Sequence, residues 1–573
     1  MNPIKLEDIE ILKVDRNGKF NHLDNSDLDF YNSALVYILN DKKSIYIGET
    51  VNVLNRFANH NGHEIKKMLL NKHVIHSNFF NKSVTLHLES FLINLFSAVK
   101  PLKLLNINLH NSGHSYYDKQ AYEELFPAIW AKLEELKIAK TSFEEIINSN
   151  IFKYSPYKSL NRDQQAAVIA ILESLTSDKK GILIQGNAGT GKTVIASYVI
   201  KLLVTPIRYF EQFEMEDEFS EHAYNLLKQF RLQNGIDESN EEKLKDEIAL
   251  VISMTSLRGT IRTVFGHIDQ LNPKMVISPT DISKRKYRIV LVDEAHRLKQ
   301  RKNLSGYGDF DKSNARLGLE KFEGTELDWV MHQSEHQIFF YDRNQSIKLS
   351  DVADSRFEAL EKSNQYRNFQ LHTQIRSKGG NLFTDFVNRL FALELAEGET
   401  FESDEFEFKL FDSFVEMRNQ IREKNKEMGL ARLVAGFSWK YKTRAKKNRN
   451  LYDMEIEGVN LRWNSTGKDW INSKKAIDEV GSIHTVFGAD LNYIAIVFGE
   501  EIDYDPVQDK IFIIRDKYQD ANGKNSTDDS TLDFYVKNIY KTMIFRAING
   551  VYLYTSNPNF KAYLERYVMK TGK

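Results

Sequence analysis

Gly186-Asn187-Ala188-Gly189-Thr190-Gly191-Lys192-Thr193 carries the pattern G-x-x-x-x-G-K-[ST], and its reading decides the kind of fold around it. Each fixed position has a physical job. Glycines let backbone N–H groups turn inward around phosphates, where a side chain would block the approach. The lysine can reach the β- and γ-phosphates, and the threonine hydroxyl can take a place on Mg²⁺. The flanks agree with this. Gly181-Ile182-Leu183-Ile184-Gln185 reads as a short buried strand, and Val194-Ile195-Ala196-Ser197-Tyr198-Val199-Ile200 as the helix whose N-terminus meets the anion.

Farther along, Arg288-Ile289-Val290-Leu291-Val292-Asp293-Glu294-Ala295-His296 is an apolar, β-branched run that ends in two carboxylates. Such a run predicts a buried parallel strand, and ligands of open α/β sheets sit at the carboxyl ends of their strands. Asp293 is the candidate to hold Mg²⁺ through water. Glu294 is the candidate to orient or deprotonate an attacking water, which makes the expected reaction a hydrolysis. Solvated acids are the alternative reading, and the phosphate loop in the same chain weakens it.

The 573 residues suggest three or four domains, and 42% hydrophobic with 12% aromatic residues excludes wholesale disorder. The formal net charge of −1 means that any nucleic-acid surface is local and not a global basic field. With no cysteine, disulfides and thiolate-ligated zinc or iron–sulfur centres are excluded. The first residues lack an apolar signal core and no run of eighteen apolar residues occurs, so a cytoplasmic chain without a membrane span is expected. Nine prolines and no Gly/Ser-rich linker point to domains packed together.

A second chemistry lies near the start. In Ala34-Leu35-Val36-Tyr37-Ile38-Leu39-Asn40-Asp41-Lys42-Lys43-Ser44-Ile45-Tyr46-Ile47-Gly48, two β-branched stretches flank a polar turn, which predicts a β-hairpin with Tyr37 and Tyr46 on its two arms. Arg56 and His60 then fall one turn apart on a helical pattern. The stretch from Leu86 to Phe96 reads as a mostly apolar helix with Glu89 near its start.

This order of features resembles the GIY-YIG endonuclease domain over about residues 30 to 115. Leu35-Val36-Tyr37 stands at its first motif, Tyr46-Ile47-Gly48 at its second, and Arg56, His60 and Glu89 follow at matching places. Leu35 replaces the family's first glycine. The family's distal asparagine has three candidates in Asn106, Asn108 and Asn111. The resemblance implies a phosphodiester cut with Mg²⁺ on Glu89, and with Mn²⁺ also acceptable. Arg56 would bind phosphate oxygens through its planar fork, and Tyr46 or Tyr37 would take the proton from water. Taken singly, strand packing explains the tyrosines and a helix dipole explains the glutamate.

The remaining segments resemble superfamily 1 helicases, specifically the bacterial P-loop family that includes Schlafen-type domains. Gln164, in Leu160-Asn161-Arg162-Asp163-Gln164, matches the glutamine that reads the adenine edge and favours ATP, with helix capping as the alternative. Met254-Thr255-Ser256-Leu257-Arg258 looks like a segment contacting the nucleic-acid backbone. Gln345 would sense the γ-phosphate, Arg376 would contact phosphate, and Arg546 would be an arginine finger. In Gly481-Ser482-Ile483-His484-Thr485-Val486-Phe487-Gly488-Ala489-Asp490-Leu491-Asn492 the family's glutamine, glutamate and aspartate are replaced by Phe487, Asp490 and Asn492, which puts processive unwinding in question. Residues 211–247 read as an acidic helical insertion. The basic, aromatic stretch Trp439–Arg449 suits phosphate and base contacts as well as it suits a solvated loop.

The expected fold class is α/β, with a small α+β GIY-YIG-like domain (1–145) and two RecA-like α/β lobes (146–345, with an insertion near 205–247, and 346–573). The expected function is an ATP-dependent DNA helicase or translocase with a metal-dependent endonuclease, in bacterial restriction or anti-phage defence. A non-unwinding ATPase switch that licenses the nuclease is the alternative, as is RNA processing. The expected partners are single-stranded or duplex DNA, with RNA, a second copy or a protein partner left open.

Overall fold

The computed structural model describes residues 4–15, 31–62, 66–106, 116–211, 217–304, 306–343, 350–443, 451–466, 470–486, 488–520, 524 and 528–571. The chain divides into two compact units. One comprises Met1–Ser177, Thr193–Ile248 and Thr260–Val276; the other comprises Asp178–Lys192, Ala249–Gly259 and Ile277–Lys573.

The first unit holds strands β1 (Glu10–Val14), β2 (Leu35–Asn40), β3 (Ser44–Thr50), β4 (Asn71–His76) and β5 (Lys103–Leu104), in the sheet order β1-β4-β2-β3-β5. All neighbours are antiparallel except β3 and β5, which run parallel. The turn between β2 and β3 closes because Asp41 Oδ1 accepts from the backbone N–H groups of Lys43 (2.7 Å) and Ser44 (2.6 Å). That turn fixes the register, setting Tyr37 across from Gly48 and Leu39 across from Tyr46. Leu35, Tyr37, Leu39, Tyr46, Val53, Phe57 and Val74 form the core here. Burying such a side chain contributes about 1.5–3 kcal/mol.

Helix Lys82–Phe96 begins earlier than the sequence pattern indicated. Asn81 caps it by accepting from Val84 N–H at 3.1 Å, so Glu89 sits in mid-helix and not near the start. The reason is a polar first turn, Lys82-Ser83-Val84-Thr85, which hides the helix until the apolar run begins. Within residues 211–247, helices Glu218–Gln233 and Glu241–Glu247 are joined by an Arg231–Glu241 ion pair of 3.0 Å. Both partners are buried, and Arg231 also donates to the carbonyls of Leu203 and Thr205. The insertion is thereby fastened at its base.

The second unit is built on two sheets. The first contains β6 (Gly181–Gly186), β7 (Ile248–Ile252), β8 (Val276–Ile277), β9 (Tyr287–Asp293), β10 (Ser334–Tyr341) and β11 (Tyr366–Leu371), in the order β11-β6-β10-β9-β7-β8. Strands β11, β6, β10 and β9 are mutually parallel. The second sheet is parallel throughout: β12 (Glu407–Leu410), β13 (Ala431–Ala435), β16 (Leu491–Phe498), β19 (Ala547–Thr555) and β20 (Met569–Lys570), in the order β13-β16-β19-β12-β20. Two hairpins, β14 (Met454–Ile456) with β15 (Val459–Leu461) and β17 (Ile502–Asp505) with β18 (Lys510–Ile513), decorate it. A parallel sheet must be covered on both faces, which is why β7 and β16 are buried at every position. The expected division at 345/346 falls between β10 and β11, which belong to one sheet. Among the described residues no helix is long and apolar enough to cross a membrane.

Candidate active sites

In the first unit Tyr37, Tyr46, Arg56 and His60 come together over the β2–β3 hairpin. The Tyr37 hydroxyl accepts from Arg56 Nε at 3.0 Å and lies 2.7 Å from His60 Nε2. Arg56 is the donor to the phenol oxygen, and the direction of the Tyr37–His60 hydrogen bond follows the imidazole tautomer. The Tyr46 ring stands 6.2 Å from that of Tyr37 and 5.5 Å from that of His60. Both tyrosines are buried, as is Glu89 at 3% exposure. Burial, the neighbouring Tyr46 and Glu89 push the Tyr37 phenol well above its usual value against the pull of Arg56. Burial and the Glu89 charge do the same to Tyr46, again opposed by Arg56.

Gly48 is required by this arrangement. A Cβ there would lie 2.2 Å from the Tyr37 hydroxyl oxygen, inside any permitted contact. Gly48→Ala must therefore displace Tyr37 and break its contacts with Arg56 and His60. We expect strand cleavage to be lost, the nuclease domain to be destabilised by about 1–3 kcal/mol, and ATP hydrolysis by the same preparation to be unchanged. Of the three candidate asparagines, Asn106 is buried and grips the Ile47 backbone twice, with Oδ1 accepting from N–H at 3.0 Å and Nδ2 donating to the carbonyl at 2.7 Å. Asn108 and Asn111 lie outside the described residues.

In the second unit the phosphate loop follows β6, and Gly189 and Gly191 adopt φ of +84° and +86°. Lys192 Nζ donates to the carbonyls of Gly186 (2.5 Å) and Asn187 (2.9 Å) and stands 3.7 Å from Asp342. Residues Gln374 to Arg376 close over the loop. Gln374 Nε2 donates to Ala188 O at 2.6 Å, and the N–H groups of Ile375 and Arg376 donate to Gly189 O at 3.0 and 3.2 Å. Arg376 pairs with Asp490 at 2.5 Å, so a residue of the departing motif holds a phosphate-contacting candidate. Asn492 is used to cap the carbonyls of Met428 and Gly429.

Asp293 ends β9 fully buried, and Glu294 follows in the left-handed region at φ +51°. A non-glycine residue there stores strain of about 1–3 kcal/mol, which functional sites commonly retain. Glu294 Oε2 lies 3.1 Å from His296 Nε2. Burial alone would raise the Glu294 carboxyl; His296 and the charges of Lys192, Arg546 and Arg297 outweigh it and hold the group well below the usual carboxylate range. Burial lowers His296 despite the pull of Glu294, and its Nδ1 accepts the Asp342 N–H. Arg546 follows helix Asp529–Ile544 and is 1% exposed. The carboxyl end of β9 thus gathers an ionised acid within electrostatic reach of Lys192 and Arg546.

Other predicted positions divide. Gln164 is buried in the first unit, and its Oε1 completes a capping box on Asn161 N–H at 3.2 Å. Thr193 is the first residue after Lys192 in helix Lys192–Val204. Arg258 turns its guanidinium onto Ile252 O at 2.7 Å. Gln345, Phe487 and residues 444–449 of the basic stretch lie outside the described residues, while Tyr441 donates to Asn464 O. Sequence reasoning missed Lys66, which lies over the Tyr46 ring, and the Gln374 clamp. Neither forms part of a recognisable local pattern.

Residues 179–557 match the Schlafen group 3 DNA/RNA helicase domain, and the chain belongs to that family. Residues 33–103 match the GIY-YIG catalytic domain. An uncharacterized protein of Saccharomyces cerevisiae is 24% identical over 419 residues, spanning 67% of this chain and 83% of that protein. Among solved structures, Bacteroides Pif1 bound to ssDNA is 8% identical with a TM-score of 0.25, covering 69% of this chain and 92% of that one. Bacteroides Pif1 helicase in complex with ADP-AlF3 and ssDNA is 10% identical with a TM-score of 0.26, covering 67% and 91%. The helicase-domain and GIY-YIG matches make the chain an enzyme, a helicase-nuclease that uses a nucleotide and a divalent metal.

Proposed function

We propose that the chain hydrolyses ATP at the P-loop to drive movement on DNA, and cuts DNA at the Tyr37–Glu89 site. The proposed division is a nuclease domain with helical linker (1–145), a first ATPase lobe (146–345) with an insertion near 205–247, and a second lobe (346–573), save that β11 pairs with β6 in the sheet of the first lobe. A role in restricting invading DNA in bacteria belongs to the same reading. The observation that supports it is the buried Glu294 after β9, held below the usual carboxylate range by neighbouring charges that include Lys192 of the phosphate loop and Arg546.

Lys192 exchanges the Gly186 and Asn187 carbonyls for the β- and γ-phosphates of ATP. Glu294 takes a proton from the attacking water, and Arg546 balances the charge that develops on the γ-phosphoryl group. Gln345 senses that group, Arg376 contacts phosphate, and Gln164 reads the adenine. Thr193 and Asp293 would hold Mg²⁺, which would supply Lewis acidity to the transferred phosphate. In the nuclease, Arg56 binds the scissile phosphate. Tyr46, ionised to its phenolate with the help of Arg56, takes the proton from water as the new P–O bond forms and the old one breaks. The leaving oxygen takes a proton from solvent, while Tyr37 and His60 hold Arg56 and the ring in register. The buried, single carboxylate of Glu89 suits Mg²⁺, which keeps most of its waters and needs one or two protein oxygens; it would supply Lewis acidity and stabilise the leaving oxygen. Comparing ATP hydrolysis with and without single-stranded DNA, duplex DNA and RNA tests the reading, and stimulation by RNA alone would replace DNA as the substrate.

One observation favours the licensing alternative, in which ATP controls the nuclease without unwinding. Lys103, in β5 beside the strand of Tyr46, pairs with Asp269 at 2.9 Å, and Lys201 of helix Lys192–Val204 donates to the Asp269 carbonyl at 2.8 Å. Asp269→Lys sets three ammonium groups against one another. A switch predicts that cleavage becomes independent of ATP while ATP turnover is retained. ATP dependence equal to that of the parent would remove this alternative.

A further inference from the structure

We infer that Lys66 is a positioning residue of the nuclease, holding the Tyr46 ring and supplying a second positive charge beside Arg56. The inference rests on the nuclease reading above. Lys66 Nζ stands 3.9 Å from the Tyr46 ring centroid, over its face, and the residue is 8% exposed. It sits on the short turn Lys66–Met68, within electrostatic reach of both Arg56 and Glu89.

A lysine usually keeps its ammonium in water and buries only its stem. Here the charged head itself lies under the ring, and burial with the repulsion of Arg56 lowers its pKa to about 8, against the pull of Glu89. Packing alone would be served as well by methionine or leucine, without the desolvation of a charge. The reaction supplies the missing reason. Tyr46 can take a proton from water only as its phenolate, so the reaction needs a negative charge on the ring beforehand, its own proton having gone to solvent. Burial and Glu89 disfavour that charge. An ammonium on the face of an aromatic ring stabilises that charge through space and fixes the plane of the ring. Arg56 is committed to Tyr37 through Nε, so a second cation lets phosphate binding and phenol stabilisation proceed from different side chains.

The test compares Lys66→Met, Lys66→Gln and Lys66→Arg in the full chain with Mg²⁺ and a labelled DNA duplex. The inference predicts that Met and Gln lower kcat for cleavage about 10²-fold, the scale of a lost electrostatic stabiliser, with KM within about threefold. Arg should recover at least about a tenth of the parental kcat, and ATP hydrolysis should be unchanged in all three. Parental kcat in Met and Gln would overturn the inference, as would an Arg variant as inactive as Met. If both uncharged variants lose the melting transition of the nuclease domain while Arg keeps it, Lys66 is a packing residue and the inference also fails. Glu89→Gln run in parallel separates the two levels. If it cleaves like the parent, the nuclease reading itself fails. If it is inactive while Lys66→Met is fully active, only the role of Lys66 is lost.

Discussion

Arg546→Ala is expected to bind ATP with little change and to hydrolyse it at least about 10³-fold more slowly. Tenfold in rate is about 1.4 kcal/mol, so the loss corresponds to about 4 kcal/mol of transition-state stabilisation. The argument is electrostatic. Arg546 is almost fully buried and helps to depress the carboxyl of Glu294, as Lys192 does. Charge on the leaving phosphate grows only along the reaction path, so a cation placed for that charge affects kcat more than ground-state affinity. Stimulation by nucleic acid should vanish with the arginine. Equilibrium binding of a fluorescent ATP analogue beside steady-state phosphate release checks this. An Arg546→Ala enzyme with parental turnover would show that the residue has no part in the reaction.

Glu89→Gln is expected to lower metal-dependent cleavage about 10²–10³-fold, because it removes the carboxylate that would hold the ion and keeps the volume of the side chain. ATP hydrolysis should be unaffected. The substitution also lifts the negative charge that pushes both phenols up, so any residual cleavage should come from a site whose tyrosines ionise more readily. Nicking of supercoiled DNA in Mg²⁺, with thermal melting as the fold control, separates loss of chemistry from loss of structure.

How far the sequence foretold these sites depends on how local each signal is. The phosphate loop and the run before Asp293 are contiguous, and both chemistry and fold require them in one stretch, so they are legible. The β2–β3 hairpin is legible for the same reason, with Asp41 closing the turn. The start of helix Lys82–Phe96 is masked by a polar first turn. The left-handed backbone of Glu294 and the Gln374 clamp on the loop arise from tertiary packing and leave no local pattern. Strand β11 joins β6 across a long stretch of chain, and no periodicity within β11 announces its sheet. Lys66 is one lysine among polar neighbours until the fold carries it onto Tyr46.

The central claim is that two separable catalytic centres occupy one chain. It is tested most directly by following phosphate release and DNA nicking in the same reaction for the parent, Lys192→Ala and Glu89→Gln. The account predicts that Lys192→Ala loses ATP hydrolysis and keeps the folded nuclease, able to nick at least without ATP, whereas Glu89→Gln loses nicking and keeps ATP hydrolysis that nucleic acid stimulates. Full nicking by Glu89→Gln, or ATP hydrolysis at the parental rate by Lys192→Ala, would contradict it.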